Sequence, residues 1–193
     1  MGQVVLNELP ISFSLPDNFF VIQRGMPNNV HTPTFTGKTA DQLTAEMKEE
    51  NLYLLAYGED IRSYIQFTWV PRDNTGISND MRYAVGILDP IGVEWMVKNF
   101  TPNGQDDIGP KSSAYRTQGI MYSVYEQTRK WNGQEFGSIL YIYLADHYSM
   151  GIELTSCAGS INEQLADLMQ KIVDQVVVSP RTDQYALMQS LIQ

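Results

Sequence analysis

The stretch from Gln134 to Val178 constrains the fold more than any other part of the chain. Behind Ser160 come Ile161, Leu165, Leu168, Met169, Ile172, Val173 and Val176, at offsets of 0, 4, 7, 8, 11, 12 and 15. These offsets trace one stripe of a 3.6-residue helix. Glu163, Asp167, Gln170, Lys171 and Asp174 take the opposite side. Ser160 and Glu163 have the S-x-x-E spacing of a capping box, in which hydroxyl and carboxylate each satisfy an N–H of the first turn, so the helix is expected to begin at Ser160. Leu168, as one of seven side chains on the stripe, is expected to be buried, with a cost of about 2 to 5 kcal/mol on truncation to Ala. Upstream, Ile139 to Leu144 is an aromatic and branched run, and Tyr148 to Thr155 alternates with Met150, Ile152 and Leu154 on one side. Such alternation marks a strand with one buried face. A helix with a single apolar stripe needs a sheet to lie on, and these strands supply the nearest one.

Composition narrows what such a sheet serves. A chain of 193 residues is long enough to bury about 70% of its unfolded surface and is read as one domain. Hydrophobic residues at 43% and aromatics at 11% exclude a disordered chain. A net charge of −9 opposes any general affinity for nucleic acid or anionic lipid. No apolar run spans a membrane, and the first 20 residues lack the pattern of a signal peptide. Met1-Gly2 has a myristoylation start, but Leu6 stands where Ser or Thr is needed. The chain is therefore expected to be soluble as it stands, cell-surface or secreted if a signal or anchor was removed, and otherwise cytoplasmic. The single cysteine, Cys157, allows no internal disulfide and leaves the redox compartment open.

Taken in order, Ile11, Phe13 and Leu15 alternate with serines, Pro16-Asp17-Asn18 supplies turn residues, and Phe19 to Gln23 resumes an extended pattern; this reads as an opening hairpin. Residues from Gly25 to Lys38 are too rich in Pro, Asn, Thr and Gly for regular structure. Thr39 then starts a helix to about Asn51, with Gln42 at the capping-box position and Ala40, Leu43 and Met47 on one face. Leu52 to Tyr57 and Ile61 to Val70 are strands about a Gly58-Glu59-Asp60 turn. Ser78 to Leu88 and a second segment through Phe100 read as helices broken at Asp89-Pro90, and Thr101 to Ser113 as a loop. Met121 to Lys130 and Gln134 to Ala145 form a hairpin about Trp131-Asn132-Gly133, where Asn-Gly accepts positive φ angles. The expected architecture is α+β: an antiparallel sheet of about six to eight strands sandwiched by helices, over residues 1–178, with a tail at 179–193.

The segments ISFSLPDNFFVI, TRKWNGQEF, MGIELTS and SINEQLADLMQKIVDQVVV, in that order around a helix, a strand pair and a long middle excursion, resemble the Mog1/PsbP-like fold over Leu6 to Val178. The resemblance implies an antiparallel sheet between helices and non-enzymatic binding roles. One branch of the family binds the small GTPase Ran, another supports the oxygen-evolving side of photosystem II, and many bacterial members are surface lipoprotein domains. No residue here matches a functional motif of those branches.

Chemistry-bearing patterns are sparse. G-x-S-x-G, the Walker sequence and G-x-G-x-x-G are all missing. His31 and His147 have no second ligand at metal spacing and read as solvated or packing histidines. Cys157, at the end of an apolar strand, reads as a buried inert thiol. Asn103, Asp106 and Asp107 bring oxygen ligands together, but without the calcium-loop register they read as a solvated loop. Asn99-Phe100-Thr101 has the form of a glycosylation sequon. No cofactor and no metal site is expected. Tyr122, Tyr125, Trp131, Tyr141, Tyr143 and Tyr148 are a candidate concave binding face, or else simply the wet side of a half-covered sheet.

Two functions follow from these readings. The first is a binding or scaffold domain whose partner is another protein. The second is an unrecognised hydrolase or small-ligand enzyme with a pocket between the sheet and the middle section. They are separated by whether ionisable residues among Asp146, His147, Glu153 and Cys157 converge in a concave pocket. In the tail, Tyr185, Met188, Leu191 and Ile192 share a short helical face beyond the stop at Ser179-Pro180. Thirteen residues are too few for a stable helix in isolation, and the apolar face favours docking. Deleting Arg181 to Gln193 is therefore expected to lower the melting midpoint by a few degrees. An unchanged midpoint in a thermal scan would place the tail outside the folded unit.

Overall fold

The computed structural model describes residues 1–6, 8–25, 37–71, 106–145 and 148–178. The expected middle helices, His31, Asn103, Asp146, His147 and the tail from residue 179 lie outside them. Among the described residues the order is β1 (Gly2–Val5), β2 (Ile11–Leu15), β3 (Phe19–Gln23), α1 (Ala40–Glu49), β4 (Leu52–Gly58), β5 (Ser63–Pro71), β6 (Asp106–Thr117), β7 (Ile120–Trp131), β8 (Gln134–Leu144), β9 (Tyr148–Ser156), α2 (Glu163–Val173) and β10 (Val177–Val178). Seven strands form one antiparallel sheet in the order β3-β4-β5-β9-β8-β7-β6, and β1-β2-β10 form a second, smaller one. The α+β class and the strand number agree with the alternation seen in the sequence.

Alternation decides which face is buried. Along β4 and β5, Leu54, Ala56, Ile65 and Phe67 point inward, and along β9 Met150, Ile152 and Leu154 join them, all at 0% exposure. The main core lies between this face, the small sheet and α2, which contributes Leu165, Met169, Ile172 and Val173. Phe13 of β2 stacks on Phe67 with ring centroids 5.7 Å apart, tying the small sheet to the large one. On the opposite face, Leu43 and Met47 of α1 pack with Ile22 and Leu52 in a second cluster.

Local chemistry sets the ends of α1 as anticipated. Thr39 accepts from the Gln42 backbone while the Gln42 side chain accepts from the Thr39 N–H, a complete capping box. The β7–β8 turn has Asn132 at φ 49° and Gly133 at φ 78°, the positive pair that a two-residue hairpin demands.

Four expectations are corrected. The opening strands do not form a hairpin: β2 pairs with β1 and β10, whereas β3 pairs with β4, so Pro16-Asp17-Asn18 carries the chain between sheets. Neither β1 nor β10 was anticipated, being too short to show a period. The segment from Asp106 is strand rather than loop, because β7 offers it a partner edge from Lys130 to Ile120. Finally, α2 is capped by Asn162, whose Oδ1 accepts from the Leu165 N–H at 2.9 Å, and not by Ser160. The reason lies on β8. Gly137 N–H donates to Gly159 O at 2.9 Å, and a Cβ on Gly137 would stand 2.5 Å from the Ile161 nitrogen. Residues 159–161 are therefore laid against the sheet, and the Ser160 hydroxyl accepts from Thr128 instead of capping.

Leu168, expected to be buried, lies at the edge of the stripe and is only partly buried, while Met169 and Ile172 are fully enclosed. Met169→Ala is accordingly expected to cost about 2 to 5 kcal/mol in chemical denaturation, and Leu168→Ala distinctly less. Equal losses would place the stripe in the wrong rotation.

Candidate functional site

The residues named as a candidate aromatic face separate on folding. Tyr122, Tyr141, Tyr143 and Tyr148 are between 0% and 9% exposed on the core side of the sheet. They contact one another edge-on or tilted at 6.0 to 6.3 Å, and Tyr148 also stacks on Trp69 at 3.7 Å. Burial pushes the Tyr141 hydroxyl up to about 12. These four are interior packing. Tyr125 is registered against Leu140 and belongs to the other face. Trp131 pairs with Gln134 at the end of the hairpin.

That other face holds the concave surface. Cross-strand register places Phe20, Tyr57, Tyr64, Thr155 and Ser138 in one row and Ile22, Leu55, Gln66, Glu153 and Leu140 in the next. Where α1 overhangs β3 and β4 there is a hollow of about 350 Å³, lined by Phe20, Ile22, Lys38, Leu43, Leu55, Tyr57, Tyr64 and Gln66. Beside it a second hollow, about 240 Å³, is lined by Tyr64, Gln66, Arg129, Phe136, Ser138, Glu153 and Thr155. Tyr64 and Gln66 belong to both, so the two form one groove that is apolar at the α1 end and polar at the β8 end.

The polar end is built on an ion pair. Arg129 Nη2 donates to Glu153 Oε1 at 3.0 Å and to the Ser138 hydroxyl at 3.1 Å. The two side chains are only 18% and 21% exposed. Burial pushes the Glu153 carboxyl above its ordinary range, and the Arg129 charge and hydrogen bonds from Ser138 and Arg129 offset only part of this. Burial likewise raises the Tyr64 hydroxyl, against a hydrogen bond with Thr155. At the apolar end Lys38 is paired with Glu46.

Of the four ionisable residues singled out in the sequence, Glu153 lines the groove and Cys157 lines neither hollow. Burial pushes the Cys157 thiol up, away from the reactive thiolate, although Arg62 draws it the other way. Asp106 and Asp107 open β6 opposite Lys130 and Arg129. Among the described residues no three His, Cys, Asp or Glu side chains stand together as metal ligands. Arg129, Tyr64, Gln66 and Ser138 were not marked in the sequence. The available signal was a charge at an outward position on each of two long strands, but without register Arg129 and Glu153 had no reason to meet.

This architecture is that of the Mog1/PsbP-like proteins. The solution structure of cyanobacterial PsbP (CyanoP) from Synechocystis sp. PCC 6803 is similar with a TM-score of 0.55 at 7% identity, covering 92% of this chain and 91% of that one. LpqN of Mycobacterium tuberculosis matches at a TM-score of 0.49 and 13% identity, over 93% and 91% of the two chains. A structure from Bacteroides thetaiotaomicron VPI-5482 matches at 0.49 and 11% identity; 90% of this chain is covered, but only 46% of that one, so this chain spans about half its length. No family model and no curated protein matches the sequence. Among the described residues no helix is long and apolar enough to cross a membrane.

The raised carboxyl gives a pH dependence of known sign. As pH falls, the folded state takes up a proton at Glu153 before the unfolded chain does, so this group stabilises the fold on the acid side. Stability relative to Glu153→Gln should therefore fall as pH rises from the ordinary carboxylate range through the raised value, and be level above it. Urea unfolding of both proteins between about pH 4 and about pH 8 checks this. A difference independent of pH would show that Glu153 is not desolvated.

Proposed function

We infer that this domain is a non-enzymatic binding module, that its partner is another protein, and that the partner docks in the groove beside α1. The observation that carries the reading is the groove itself. It joins an apolar hollow to a sheltered ion pair, the combination of apolar surface and a few placed polar groups by which binding sites achieve affinity and orientation. Its apolar hollow falls within the usual size range of such sites, and Tyr125 extends the same face beyond Leu140. The fold accords with this reading, since it provides a rigid sheet on which such groups keep their spacing.

The second reading, a small-ligand enzyme, rests on Glu153, a sheltered carboxylate with a raised pKa of the kind used as a general base. Against it, the adjacent hydroxyls are enclosed: Ser138 is 2% and Thr155 7% exposed, leaving neither an open path to a substrate. Cys157 lines neither hollow.

A photo-crosslinking residue introduced at Gln66 in the source organism tests the inference, with the same residue at exposed Asp167 on α2 as the control position. Protein adducts are expected from position 66 and not from 167. Adducts of equal yield at both positions, or none from the groove, would remove the docking site.

A further inference from the structure

The polar end of the groove is closed to simple charge recognition. In a chain of net charge −9, each charged side chain lining its two hollows among the described residues is held in an ion pair, Lys38 with Glu46 and Arg129 with Glu153. At the β8 end an incoming carboxylate or ammonium would have to displace a sheltered partner and leave an opposite charge uncompensated, which is costly where water is scarce, whereas the half-exposed Lys38–Glu46 pair at the α1 end is screened by solvent. An uncharged group that both donates and accepts meets no such barrier. Donor and acceptor atoms stand side by side at this end: the Arg129 guanidinium and the Gln66 amide beside the Glu153 carboxylate. This is the complement of a peptide amide.

Dimensions agree. From Tyr57 through Tyr64 and Thr155 to Ser138 the groove crosses four neighbouring strands, about 14 Å at the usual spacing of about 4.8 Å. An extended chain covers that span in four to five residues at about 3.3 Å each, with one side chain free to drop into the hollow under α1. That hollow, walled by Phe20, Ile22, Leu43, Leu55 and Tyr57, suits an apolar side chain.

Resting on the docking site inferred above, we propose that the groove accepts an extended, uncharged peptide segment of a partner protein. One apolar side chain of the segment sits beneath α1, and a main-chain amide sits on the Arg129–Glu153 pair. The ion pair acts here as a neutral hydrogen-bonding platform that rejects charged segments.

The test is a titration of the full-length protein, followed through its backbone amide resonances, with an acetylated and amidated pentapeptide of glycines carrying one central leucine. Saturable shifts at Tyr64, Gln66 and Glu153 are expected. Exchanging the central leucine for alanine should weaken binding about tenfold, from the methylene groups lost. A glutamate in place of the glycine two residues away, at the Arg129–Glu153 end, should abolish it. Glu153→Gln should relax the rejection, so that the glutamate peptide binds the variant and not the native protein; the leucine and alanine comparison on native protein stands even if the variant misfolds. If octyl glucoside below its micelle concentration moves these resonances and the peptides do not, the groove is a site for amphiphiles and the peptide proposal fails while the docking site stands. Shifts produced by raising the protein concentration alone would assign the groove to a second copy and overturn the proposal. Absence of any peptide-induced shift overturns it as well.

Discussion

The antiparallel pairing of β5 with β9 is the interaction on which the rest of the structure depends. It runs in unbroken register from Ser63 opposite Ser156 to Pro71 opposite Tyr148. It joins a strand pair from the first third of the chain to the hairpins of the last, so that two small sheets become one of seven strands. Because side chains alternate at every step, one register decides both faces together. Ile65 meets Leu154 and Phe67 meets Ile152 in the core, while Gln66 meets Glu153 on the groove side. A slip by one residue would send the isoleucines to the groove and the carboxylate into the core. Closing so long a loop costs chain entropy before the pairing repays it.

The two faces of the sheet are covered in different ways, and that difference creates the site. On the core side, α2 and the small sheet cover the apolar face, and the tyrosine cluster is packed by ring-on-ring contacts. On the other side, α1 covers β3 and β4 with two buried side chains, Leu43 and Met47. The floor beyond it is left to polar residues. A carboxylate in a sheltered place costs stability unless a cation stands against it, and Arg129 across the strands meets that need. Arg129 in turn reaches Ser138, so the pair is held in one geometry rather than waving at the surface. Tyr115 performs a comparable task at the other end of the molecule. Its hydroxyl donates to Asp174 at 2.7 Å and secures the β6–β7 hairpin to the end of α2.

The β4–β5 and β7–β8 hairpins, the class of fold, both described helices and even the capping box at Thr39 were legible in the sequence, because each rests on interactions between residues a few positions apart. Periodicity of 2 or 3.6, an Asn-Gly turn and a hydroxyl before an apolar run act locally and were read locally. What misled did so where a distant segment competed for the same atoms. Ser160 and Glu163 have the spacing of a capping box, yet the backbone there is claimed by β8 through Gly137, and Asn162 caps the helix instead. The aromatic residues were seen as a group, but a strand sends alternate side chains to opposite faces, and only the sheet shows which face is covered.

The groove marks the boundary between the two kinds of information. By itself the sequence determined that a polar residue on β9, Glu153, would point away from the apolar side, since Ile152 and Leu154 flank it and a strand permits nothing else. It also determined that a helix from Thr39 to about Asn51 would carry Ala40, Leu43 and Met47 on one face. Only the tertiary structure decided that Arg129, 24 residues away, would stand against that carboxylate, and that α1 would close one end of the same trough. The reason is physical. Period and propensity set the direction of each side chain on its own element, but the partner it meets depends on strand order and register, which are settled by the burial of both faces at once.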